Sequence, residues 1–111
     1  MGRPRVLHLL GSFEIGGTEV QAVRLLCALA SQQDIHISVG AISLAGPLRT
    51  IIQNAGYRDL PEFPLTSFRD TNFILQTFKL ARYLRRNRID LMHTHDFYSN
   101  VFGMVSARLA N

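Results

Sequence analysis

The sequence predicts an α/β fold: a Rossmann-like, three-layer architecture around a parallel sheet, with strand order 3-2-1-4. Three observations predict it. Short apolar runs alternate along the chain with longer stretches whose apolar residues recur at helical spacing. The first run, Val6-Leu7-His8-Leu9-Leu10, is almost wholly apolar, as a strand buried on both faces requires. Glycine-rich or polar loops separate the first strand from its helix and the last strand from the segment after it, as in β-α-β units. Right-handed crossovers then restrict the layout.

The elements follow in order. After the first strand, Gly11-Ser12-Phe13-Glu14-Ile15-Gly16-Gly17 is a glycine-rich loop. Thr18 and Gln21 have the spacing of a capping box, which predicts a helix reaching about Gln32. Its apolar face is read as Val20, Val23, Cys27 and Ala30, with Leu26 beside them. Ile35, Ile37, Val39 and Ala41 alternate with His36, Ser38 and Gly40 and predict the second strand. Gly46-Pro47 opens a short helix to about Asn54, with Gly56 as its stop. Tyr57 to Pro61 reads as a short third strand. A longer helix begins at Asp70 or Thr71 and reaches about Asn87, with Ile74, Phe78, Ala81 and Leu84 as its stripe. Ile89 to Thr94 is the fourth strand, and His95-Asp96-Phe97-Tyr98 its exit loop. Ser99 or Asn100 caps a last helix carrying Val101, Val105 and Leu109.

Composition bounds the function. A chain of 111 residues forms one small domain, and 47% hydrophobic against 18% charged residues excludes a disordered chain. The longest uninterrupted apolar stretch, Leu25 to Ala30, is far shorter than the ~20 residues that cross a bilayer. The single cysteine, Cys27, excludes an intrachain disulfide framework and fits a reducing, cytoplasmic setting. The net charge of +4 is too small to choose among nucleic acid, a phosphate ligand and anionic lipid. No nucleic-acid motif is present, so a nucleic-acid partner is not expected. Lys79, Arg82 and Arg86 share one face of the third helix. That pattern reads first as a solvated face and second as a peripheral contact with an anionic membrane.

Two segments carry the functional signal. In a sheet of order 3-2-1-4 the winding reverses between strands 1 and 4, and ligands bind beyond the strand ends at that point. The glycine loop and the His95 loop would meet there. Gly16 and Gly17 precede a helix N-terminus, where free amides and the helix dipole favour an anion such as phosphate. The spacing matches neither a Walker loop nor G-x-G-x-x-G, and a plain tight turn is the competing reading. His93 and His95 share a strand face and could bind zinc. No third ligand has recognisable spacing, so no metal site is expected. His95, at the strand end, reads better as a hydrogen-bond donor to a ligand, with His93 structural. Glu14, Glu19 and Asp96 are the available acid/base groups. No signature of a Ser-His-Asp hydrolase is present.

The segment Arg5-Val-Leu-His-Leu-Leu-Gly-Ser-Phe-Glu-Ile-Gly-Gly-Thr-Glu19 resembles the opening of glycosyltransferase family 4 proteins. Asp90-Leu-Met-His-Thr-His-Asp96, followed by Phe-Tyr-Ser-Asn-Val-Phe-Gly, resembles their later histidine-containing strand and loop. The resemblance implies a GT-B architecture, two Rossmann-like domains facing across a cleft. It implies transfer of a sugar, with retention, from a nucleotide-sugar donor to an acceptor that the sequence does not name, without a metal or other cofactor. Residues 1–111 would then be an incomplete N-terminal, acceptor-side domain, with the C-terminal, donor-binding domain absent from this sequence. By the same resemblance, Gly16 and Gly17 lie against the donor diphosphate and His95 faces the transferred sugar as the catalytic candidate. Glu19 and Asp96 are candidate substrate contacts. The chain by itself is expected to be inactive and, with an unpaired edge along Ile89–Thr94, to self-associate. Two other classes stay open: a stand-alone nucleotide- or phosphate-binding module, and an interaction half completed by another chain.

Overall fold

A computed structural model describes residues 2–67 and 70–111. Among them the chain forms β1 (Arg5–Leu10), α1 (Gly17–Leu29), β2 (His36–Ala41), α2 (Leu48–Asn54), α3 (Thr71–Arg86), β3 (Leu91–Thr94) and α4 (Phe97–Ala110). The three strands make one parallel sheet in the order β2-β1-β3. The central strand is buried on both faces, which is why its sequence is apolar without alternation. Leu10 packs with Phe13, Val23, Leu26, Val39 and Ile52 on the α1 and α2 side. Leu7 and Leu9 pack with Phe63, Leu80, Leu84 and Phe102 on the α3 and α4 side.

The strand expected over Tyr57–Pro61 does not form. Its place beside β2 is held by a single bridge, Ala41 to Glu62, closed by the Ala41 amide on Pro61 and the Phe63 amide on Ala41. Pro61 and Pro64 flank that bridge, and neither has an N–H with which to extend a ladder. The sheet of the described residues is therefore three strands, with the predicted fourth strand, now β3, next to β1.

Three helix faces differ from the periodic reading. In α3 the buried stripe is Thr77, Leu80, Ala81 and Leu84, whereas Ile74 and Phe78 are each 55% exposed. In α4 it is Ser99, Phe102, Gly103 and Ser106, and Val105 and Leu109 lie outward. Both stripes keep the i, i+3, i+4, i+7 spacing. Polar or small members hide them from a reading that counts only large apolar residues. The small residues let α4 approach β3 closely: a Cβ on Gly103 would fall 2.8 Å from Met92 Cε. In α1 the buried residues are Ala22, Val23 and Leu26, while Cys27 and Ala30 are exposed.

Helix starts also shift. Gly16, not Thr18, is the N-cap of α1, and no side chain caps that helix. The capping box belongs to α4, where Asp96 accepts from the Ser99 amide and the Ser99 hydroxyl accepts from the Asp96 amide. Asp70 caps α3 as expected, accepting from the Phe73 amide. Asp96 wins over Ser99 and Asn100 because its carboxylate is the stronger acceptor and favours the positive end of the helix dipole.

Candidate functional site

The carboxyl ends of β1 and β3 lie side by side. The His95 amide donates to the Leu9 carbonyl at 3.1 Å, carrying the pairing one step past β3. The Gly11 amide donates to Asp96 Oδ2 at 2.6 Å. Asp96 Oδ1 meanwhile accepts the Ser99 amide at 2.8 Å. One carboxylate thus caps α4 and fastens the glycine loop to the His95 loop. A Cβ on Gly11 would lie 2.5 Å from Asp96 Oδ2 and push that carboxylate away from the amides it holds.

The rest of the glycine loop is held against the segment before α2. The Phe13 amide donates to the Ala45 carbonyl and the Leu48 amide to the Phe13 carbonyl. Gly46 permits this with φ of 124° and with no room for a side chain against the Phe13 backbone. Phe13 itself is buried, so the loop carries its own anchor into the core.

Over these turns lies a cavity of about 400 Å³, lined by Gly11, Ser12, Glu19, Ile42, Leu65, Thr66, Ser67, Asp96 and Tyr98. Glu19 and Asp96 thus reach a common cavity from α1 and from the end of β3. Gly16, Gly17 and His95 are not part of its lining. Gly16 is extended and opens α1, and the Glu19 carboxylate folds back over it: a Cβ on Gly16 would lie 2.5 Å from Glu19 Oε1. A Cβ on Gly17 would meet nothing within 4 Å, so the space beside the first turn of α1 is open.

His95 belongs to a cluster that sequence spacing concealed. In the parallel register His8 of β1 stands opposite His93 of β3, and His95 follows on the same face. His8 Nδ1 and His95 Nε2 share a hydrogen bond of 2.9 Å. The ring centroids are 4.9 Å apart for His8 and His93, 5.2 Å for His8 and His95, and 4.2 Å for His93 and His95. The potential ligand atoms of the three all lie within 4.8 Å of one another. The histidine of this cluster that strand spacing does not reveal is His8, hidden in an apolar strand and distant in the chain. The only sequence signal was a histidine where a buried strand wants an aliphatic residue.

Electrostatics follow from the packing. His8 is buried, and its pKa is lowered to about 4, first by burial and then by repulsion from His95 and His93. Burial also lowers the pKa of His95, assisted by His93 and opposed by the Asp96 carboxylate. The hydrogen bond between two neutral rings means that one donates and the other accepts, which couples their tautomers.

The basic face of α3 lies elsewhere. Lys79, Arg82 and Arg86 line a surface depression with Asp59, Phe63 and Tyr83. Lys79 donates to the Glu62 carbonyl at 2.6 Å and sits 5.4 Å from the centre of the Phe63 ring, so it is occupied structurally. Among the described residues, no helix is long and apolar enough to cross a membrane.

Comparison with known proteins adds a family. No curated protein and no solved structure matches the chain. The family model for Glycosyltransferase Family 4 matches residues 15–111, a span that includes both glycines of the α1 start, Glu19, His95 and Asp96. The strand-turn arrangement and this match agree, and the chain belongs to Glycosyltransferase Family 4.

Proposed function

We propose that this chain is the N-terminal, acceptor-side part of a retaining glycosyltransferase of GT-B architecture, which transfers a sugar from a nucleotide-sugar donor to an acceptor. The observation that carries the reading is the junction of the β1 and β3 ends through Gly11 and Asp96, beside a cavity that Glu19 also lines. That is where an α/β sheet of this winding binds ligands.

The start of α1 has no side-chain cap and a Cβ on Gly17 would meet nothing within 4 Å, which suits its first-turn amides to the donor diphosphate. Charge grows on that diphosphate as the sugar leaves, and preset amide dipoles stabilise it without reorganising. His95, at the end of β3, faces the transferred sugar, and His8 sets which of its nitrogens carries the proton. Both oxygens of Asp96 are taken by backbone amides. Asp96 therefore acts as a positioning residue for the His95 loop, while Glu19 remains able to meet a sugar hydroxyl.

The test uses the intact gene product with UDP- and GDP-linked sugars. Transfer to an acceptor should be measurable, and His95→Ala should lower kcat while the protein still melts cooperatively. Turnover that is unchanged in His95→Ala removes His95 from the mechanism. Failure of every nucleotide and nucleotide-sugar to bind at millimolar concentration removes the donor reading. A second reading, an interaction half completed by another chain, is favoured by one observation. β3 pairs only with β1 among the described residues, and Leu91 on it is 61% exposed. Co-purification of a partner covering β3 would support it.

A further inference from the structure

We propose that His8, His93 and His95 form a binding site for a zinc-type divalent cation. The three imidazoles come from two neighbouring strands, and their place is set by the parallel register that puts His8 opposite His93. Their potential ligand atoms fall within a 4.8 Å span. A tetrahedral zinc ion with bonds of about 2.0–2.1 Å holds its nitrogens about 3.3 Å apart. His8 Nδ1 and His95 Nε2 are 2.9 Å apart and face each other along their hydrogen bond, so to admit the ion the pair opens by about 0.4 Å and both rings rotate until their nitrogens converge on it. Their ring planes are 17° apart with centroids at 5.2 Å. With so short a contact between nitrogens, the rings meet edge to edge; one nitrogen carries the shared proton, and moving that proton to the ring's other nitrogen frees both to face the ion.

His93 completes the set. It stacks on His95 with planes 17° apart, so it has to turn about its side-chain torsions to aim a nitrogen at the ion. His93 is exposed, and the turn takes it off the His95 ring on which it stacks toward solvent-facing space. Its exposure also leaves the fourth coordination position open to water, the arrangement of a three-histidine zinc site. Imidazole donors select zinc, copper or nickel over magnesium or calcium. Asp96 is no competitor for the ion, because both of its oxygens accept backbone amides. The site rests on the three rings alone; with the ion bound, His8 Nδ1 and His95 Nε2 are ligands and no longer hydrogen-bond each other, so the tautomer role given to His8 in the sugar-transfer reading belongs to the metal-free chain.

The experiment is titration of the chelator-stripped, intact chain with Zn²⁺ by calorimetry, and with Co²⁺ by visible absorption. One equivalent of Zn²⁺ should bind with micromolar or tighter affinity, and Co²⁺ should give the strong d–d bands of a four-coordinate site. His93→Ala should weaken binding by about tenfold or more. His36→Ala, which alters the one histidine outside the cluster, should leave it unchanged. Imidazole nitrogen resonances of the unmutated chain supply a reading that does not depend on variants folding: His8, His93 and His95 should shift together on adding zinc. No binding at about 100 μM Zn²⁺, binding that survives His93→Ala, or binding lost in His36→Ala would overturn the assignment.

Discussion

The Asp96 carboxylate holds the Gly11 amide at 2.6 Å with one oxygen and the Ser99 amide at 2.8 Å with the other. Residues 85 positions apart in the chain are joined by this contact, and it defines how the end of β1 faces the end of β3.

Asp96→Ala removes a helix cap and a charge-assisted bond together. A cap contributes about 1 kcal/mol and a hydrogen bond to a charged group about 1.5 kcal/mol or more. The variant should lose roughly 2–3 kcal/mol in urea unfolding. Asp96→Asn, which retains an acceptor, should lose less. A loss below about 0.5 kcal/mol for Asp96→Ala would mean that the two loops are fastened by something else.

Stability should fall as the solution is acidified. Unfolded His8 takes up a proton near its ordinary value of 6.5, whereas folded His8 resists until about pH 4. Between those values the unfolded state binds the extra proton, so acid favours it. The stabilisation is whole above pH 6.5 and fades toward pH 4, by up to about 3 kcal/mol for this group. His95, shifted in the same direction, adds to the slope. Urea titrations at several pH values should show a flatter profile in His8→Gln than in the unaltered chain. Identical slopes would remove His8 as the source.

Gly17→Val separates folding from ligand approach. A Cβ at Gly17 meets nothing within 4 Å, so stability should stay within about 0.5–1 kcal/mol. Branches there project into the space assigned to the donor diphosphate, and donor KM in the intact gene product should rise about tenfold or more, a loss of roughly 1.4 kcal/mol. Normal donor KM and kcat would end the phosphate reading of this loop. Gly11→Ala is the contrasting variant: its Cβ strikes Asp96, and it should destabilise the fold itself.

The β3 edge should drive association. Its outer side has no partner strand among the described residues, and Leu91 on it is exposed. Light scattering of the 111-residue chain should show oligomers, and Leu91→Lys should reduce them by placing a charge at the edge. A monodisperse, cooperatively melting monomer without that substitution would contradict this.

Apart from the strand expected over Tyr57–Pro61, the amino-acid sequence alone determined the kind and order of the elements, because helical and strand periodicity, glycine stops and prolines act over a few neighbouring residues. It placed Asp70 at the start of α3 and Gly56 after α2, and it marked the Gly16 and His95 turns as the places to look. It misread the faces of α3 and α4, since Thr77, Ser99, Gly103 and Ser106 are buried by what packs on them and not by their own hydrophobicity. Only the tertiary structure decided that Gly11 meets Asp96 and that His8 joins His93 and His95. Parallel pairing brings together strands separated by most of the chain, and a register between them leaves no local trace in either strand.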